Sequence, residues 1–437
     1  MTALPPDDLV PDAAVSRLTG VVLPDGSRVD RVIAEGAFAE PGGAESFGAE
    51  SFDAPAGVEV DATGWMLLPP AADMHAHIDK AYTWHAAGEP EGSLVDAVAS
   101  WQRFGHTLDE ERIATHARRQ LQAALRAGVL TLRTHVNYHE GPDPLRGLRA
   151  VLAVREEFRG LVDVQVVAMH SHVRDDGIVR EGIAMGADLL GGAPHLGDDP
   201  AAEVDRSVRL AEAAGVGLDL HADETLDPHS ADLLRIAERT RDWPSHMTRS
   251  AGHCVALAVQ PPDRLAAILD AAALAGVSII TNPLTNLYLM GWEHPVATPR
   301  AVPPLAAIVS AGIELAAGGD NVQDPFNPLG NGDMVDVAAA LVLAGHATPR
   351  EAWRIVAAGR ALAGIAPTAG HVGERADGIL VRTGSVAQAL AERAPDRVVL
   401  RGGRVVATRT TRTASVATAP SVRRDAPASP RESEVRA

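Results

Sequence analysis

Residues 73–80 read DMHAHIDK, just after the apolar run GWMLLPP (64–70) and two alanines. In a strand, side chains alternate faces with a period of two, so His75 and His77 project from the same face. Two imidazoles side by side at the tip of a buried strand have no packing role of their own. Outward from this point, apolar runs alternate with long Ala/Leu/Arg segments. The runs are WMLLPPAADMH (65–75), VLTLRTHV (129–136), VDVQVVAM (162–169), ADLLGGAP (187–194), GVGLDLHA (215–222), SAGHCVA (250–256), GVSIITNP (276–283) and GIELAAGG (312–319). Segments such as 108–128 and 200–215 carry helical periodicity and end at glycine. Eight strands, each followed by a helix, predict an α/β fold, a (β/α)8 barrel of the TIM type.

Residues 16–36 and 377–408 read instead as short, hairpin-like strands around turns. The expected organisation is a small β-sandwich domain built from both chain ends, 1–64 and 367–410, around a barrel at 65–366. A Gly/Ser/Ala-rich stretch at 40–57 reads as a mobile loop, and 411–437 as a disordered tail.

The chain has 437 residues and a net charge of −18, which argues against nucleic-acid and membrane-surface partners. Its one cysteine, Cys254, excludes an intrachain disulfide. No apolar run is long enough to span a bilayer, and the N-terminus lacks the form of a signal peptide, so a soluble cytoplasmic protein is expected. Lys80 is the single lysine.

Barrel enzymes place their chemistry at the C-terminal ends of the strands. The first strand ends in His75 and His77, the second in His135 and Asn137, and the fifth in His221, Asp223 and Glu224. The sixth gives His253, and the eighth gives Asp320 and Asn321. Imidazoles and a carboxylate converging from several strands suit zinc or ferrous iron with a position left for water.

Five segments in order carry a resemblance: DMHAHIDK, HADE (221–224), AGHC (251–254), GGDNVQDPFNPLGNGDM (318–334) and GERADGILV (373–381). Over about residues 15–410 the chain resembles the amidohydrolase superfamily, in its cytosine deaminase-like branch. The resemblance implies that His75, His77, His221 and Asp320 hold one divalent metal (Zn2+ or Fe2+), with His253 facing the activated water. It implies that Glu224 shuttles protons and that Asp320 also takes one. Binuclear members carry a bridging lysine on the fourth strand; here that strand has none, which leaves a single metal. The implied reaction is hydrolytic deamination of a small nitrogen heterocycle at a C–NH2 or C–NHR carbon. Ring-opening cyclic amidase chemistry is the alternative, and the resemblance leaves room for a homo-oligomer.

The substrate-reading positions differ from that branch. Ser171 stands about where its glutamine would be, and Asn321 where a second aspartate would follow Asp320. With His135 and Lys80 these are the expected substrate contacts, Lys80 either facing substrate or pairing with Asp79. A serine cannot make the two-point contact of a glutamine, and an asparagine carries no charge. Cytosine is therefore a poor fit, and an aminotriazine, pterin, creatinine-like or substituted pyrimidine ring a better one.

Overall fold

A computed structural model describes residues 3–41, 57–90, 92–170 and 173–411. Eight parallel strands form the central sheet: Ala71–Ala76, Val129–Asn137, Asp163–Met169, Leu189–Gly192, Gly217–Ala222, Arg249–His253, Ser278–Thr281 and Leu315–Ala317. Nearly every residue in them is buried, as strands covered on both faces must be. The eighth meets the first through a parallel bridge between Asp320 and Ala76, which nearly closes the barrel. Asp73 reinforces that seam, because its carboxylate accepts the amides of His75 and Gly319.

Helices between the strands begin and end where the sequence places the signals. Asp109 caps Glu110–Ala127, and Gly128 ends it at φ 97°. Asp199 caps Pro200–Ala214, and Gly215 ends it at φ 67°. Glycine reaches this left-handed conformation without a Cβ clash.

Both chain ends supply a second, mixed eight-stranded sheet, formed by strands within 15–68 and 378–409. The apolar stretch 65–75, read above as one strand, is two strands in two sheets. Trp65–Leu68 pairs antiparallel with Gly378–Arg382, while Ala71–Ala76 enters the barrel. Pro69 and Pro70 separate them, since proline offers no amide to a ladder. Buried arginines tie the sheet to the barrel: Arg360 to Asp377, Arg397 to Asp333 and Arg401 to Asp163. The greater part of the expected loop (42–56) and nearly all of the expected tail (412–437) lie outside the described residues. Among the described residues no helix is long and apolar enough to cross a membrane.

Candidate active site

Four side chains converge at the C-terminal mouth of the barrel. His221 Nε2 lies 3.1 Å from Nε2 of both His75 and His77. Asp320 Oδ1 lies 3.4 Å from His77 Nε2 and 3.8 Å from His75 Nε2. Spacings of 3.1–3.8 Å are those of donor atoms that can share one ion, with bonds of about 2 Å to each. Burial and the neighbouring positive charges hold all three imidazoles well below their ordinary pKa, so they are neutral and able to ligate. Both carboxylate oxygens of Asp320 are buried without a hydrogen-bond partner. Burial and the charges of Glu224 and Asp324 push its pKa well up. A dication among these atoms reverses that cost, so the residues fit one.

Local backbone explains how the set is held. A Cβ on Gly252 would lie 2.9 Å from the His75 ring, and one on Gly318 would lie 2.5 Å from its Cβ. Glycines on the sixth strand and just past the eighth thus make the room for His75. His77 Nδ1 faces the His135 carbonyl at 3.2 Å and Lys80 Nζ at 2.9 Å. When Nδ1–H donates to the carbonyl, the Nε2 lone pair is directed at the cluster.

Around the cluster lies a chamber of about 430 Å3, lined by His77, His221, Glu224, His253, Asp320, Asn321, Lys80 and Asn137, with Trp101, Tyr138, Met169 and Phe326 among its walls. His253 Nε2 has no protein partner, whereas its Nδ1 meets Asn286 Nδ2 at 2.9 Å. Glu224 Oε1 lies 3.4 Å from His253 Nδ1, and Oε2 lies 3.5 Å from His195 Nε2. Burial raises the Glu224 pKa, but His253 and His195 outweigh it and leave the group below its ordinary value, a carboxylate at neutral pH.

Lys80 is buried between Asp79 and the chamber. Its Nζ lies 3.6 Å from Asp79 Oδ1 and donates to Asn137 Oδ1 at 2.5 Å, and it also lines the chamber beneath the Trp101 ring. Asn321 donates to Asp324 Oδ2 at 2.8 Å. His135 is placed differently from the expected substrate contact. Its ring packs on His75 with centroids 4.1 Å apart and is not among the residues that line the chamber. Ser171 lies outside the described residues. Asp223 faces away from the chemistry: its carboxylate accepts the Ser230 hydroxyl and the amides of Asp232 and Leu233, fixing the start of the following helix.

The sequence reading missed His195, Trp101 and Asn286. The signal for His195 was available, since it follows the fourth strand in the same position as the other strand-end residues. Trp101 and Asn286 sit on the helices Leu94–Phe104 and Pro283–Leu289, where neither periodicity nor spacing marks them.

The chain is similar to several known proteins. The profile of the amidohydrolase family matches residues 85–407. A pterin deaminase from Rhizobium rhizogenes is 31% identical over 423 residues, covering 91% of this chain and 92% of that protein. An N-isopropylammelide isopropyl amidohydrolase from a Pseudomonas species is 26% identical over 372 residues, covering 80% of this chain and 87% of that protein. The crystal structure of 5-methylcytosine deaminase from Klebsiella pneumoniae superposes with a TM-score of 0.79 at 24% identity, over 92% of this chain and 99% of that one, and so shares the fold.

Proposed function

The chain belongs to the amidohydrolase family, and from that premise we propose how its site performs hydrolytic deamination of a nitrogen heterocycle. The chain is a hydrolase of carbon–nitrogen bonds. The observation that carries the reading is the place of Glu224 in the wall of the same chamber that His77, His221 and Asp320 of the cluster line.

The four residues would hold one divalent ion, zinc or ferrous iron, both of which accept three imidazoles and a carboxylate. When bound, that ion lowers the pKa of water to about 7 and so supplies the nucleophile at neutral pH. Glu224 would take the first proton from that water and carry it onto the ring nitrogen as aromaticity is lost. Asp320 takes the remaining proton from the attacking oxygen, and the amine leaves protonated by way of Glu224. His253 hydrogen-bonds the attacking oxygen through Nε2. Lys80 and Asn321 contact the ring, Ser171 belongs to the same contact set, and His135 packs against His75.

Among substrates, an aminated ring of the pterin type fits better than cytosine. The 31% identity to a pterin deaminase supports this, as do Asn321 in place of a charged residue and a chamber of about 430 Å3. The same reading places the protein in the cytoplasm, supported by its single, buried cysteine, and includes self-association through the helical exterior.

The test is amine release by protein loaded separately with zinc and ferrous iron. The panel holds pterins, aminotriazines, creatinine, isocytosine, cytosine and 5-substituted cytosines. Ammonia from a pterin, lost in Glu224→Gln, is the expected result. A new carboxylate without ammonia would instead identify a cyclic amidase.

A further inference from the structure

We propose that His195 is a positioning residue for Glu224, holding one carboxylate oxygen so that the other stays aimed at the reacting ring. The inference rests on the proton-shuttle reading of Glu224. His195 lies in the short 3-10 turn Pro194–Leu196, directly after the fourth barrel strand. Leu196, next in the turn, is half exposed, yet the His195 side chain is only 7% exposed because it folds back over the barrel mouth.

The carboxylate of Glu224 sits between two imidazoles, with one oxygen directed to each. Oε2 faces His195 Nε2 at 3.5 Å and Oε1 faces His253 Nδ1 at 3.4 Å. A proton shuttle must serve two sites in turn, the ring nitrogen and the departing amine. Misplacement of the carboxylate by about 1 Å can cost on the order of 10²-fold in rate. If His253 alone held Glu224, the carboxylate would move with the group that serves the attacking oxygen. A second anchor on a different strand end separates the two tasks.

A second cavity of about 510 Å3 is lined by His195 together with Asp199, Asp227, His229, Asp232 and Glu238. Truncating His195 would enlarge it, and a test must separate that effect from the lost donor. Phenylalanine fills the space without donating. Glutamine keeps an N–H donor near the same place.

The experiment uses the full chain, metal-loaded, with whichever heterocycle releases amine. His195→Phe should lower kcat about 10- to 100-fold, the usual range for a residue that orients a site group. KM and metal stoichiometry should be unchanged. His195→Gln should restore most of the rate. In a Glu224→Gln background, His195→Phe should cause no additional loss, because the two act as one unit. Should the phenylalanine variant fail to fold, His195→Asn, too short to reach Glu224, takes its place with the same expectation. Full turnover in His195→Phe, equal losses in the Phe and Gln variants, or a loss that adds to that of Glu224→Gln would each overturn the proposal. Full turnover in Glu224→Gln by itself would instead refute the shuttle reading on which it rests.

Discussion

The backbone amide of Asp320 donates to the carbonyl of His75 over 2.6 Å. One hydrogen bond thereby joins the last barrel strand end to the first and sets the Asp320 carboxylate against the two first-strand histidines. Asp320 adopts φ 59°, a left-handed conformation that costs a non-glycine residue energy and that the surrounding seam maintains. Barrel closure and completion of the four-residue cluster are the same event.

The crowding around His75 makes Gly252 a sensitive position. Gly252→Ala would place a methyl 2.9 Å from the His75 ring and displace it from the cluster. Metal affinity should fall about 10- to 100-fold, as when an outer partner of a ligand is lost. Competition against a chelator, read by elemental analysis, checks this. An alanine variant with the metal affinity of the parent would show that the ring has room to move.

Glu224 lines the chamber and is not one of the four converging donors. Glu224→Gln should lower kcat about 10²- to 10⁴-fold while the protein keeps its full complement of metal. His221→Ala, by contrast, should lose metal and turnover together. Paired metal and rate measurements on both variants distinguish the roles.

Lys80 and Asp79 are buried together, and Lys80 also faces the chamber. Lys80→Met leaves the Asp79 carboxylate buried without its cation and should cost about 3 kcal/mol of stability. Lys80→Met also removes a cation that faces the chamber and should raise KM. The double variant Asp79→Asn/Lys80→Met should recover stability but not KM. Denaturation midpoints and steady-state kinetics on the two variants read these effects separately. Recovery of KM along with stability would reduce Lys80 to a structural partner.

Asp232 offers a pH signature away from the cluster. Burial, with the charge of Asp223 beside it, raises its pKa from 3.8 to about 6. The folded state therefore binds this proton more tightly than the unfolded chain. That stabilisation is complete below about pH 4 and is lost as pH rises through 6. Above that window the ionised group costs up to about 3 kcal/mol relative to its protonated form. Asp232→Asn should thus be more stable than the parent at pH 8 and gain little at pH 4. Urea midpoints at the two pH values measure the difference, and an equal shift at both would contradict this account.

The eight strands were legible because buried parallel strands are near-continuous apolar runs between periodic helices. The weakest of them, around Gly252, still forms a strand at Arg249–His253. His75, His77, His221, Glu224, His253 and Asp320 were legible as strand ends carrying ligand-type side chains, and the structure brings all six to one mouth. The stretch 65–75 was misread because hydrophobicity alone does not say which sheet a strand joins. Pro69 and Pro70 carried the needed mark.

By itself, the sequence determined the number of barrel strands and the residue types waiting at their ends, since both follow from local period and position along the chain. Tertiary structure alone decided what those residues meet. His135 ends a strand as His75 does, yet its ring packs on His75, and His195 reaches Glu224 from a turn 29 residues away in sequence. Which side chain faces the chamber depends on strand stagger and barrel closure. Those are set by contacts between segments far apart in the chain, and no local pattern records them.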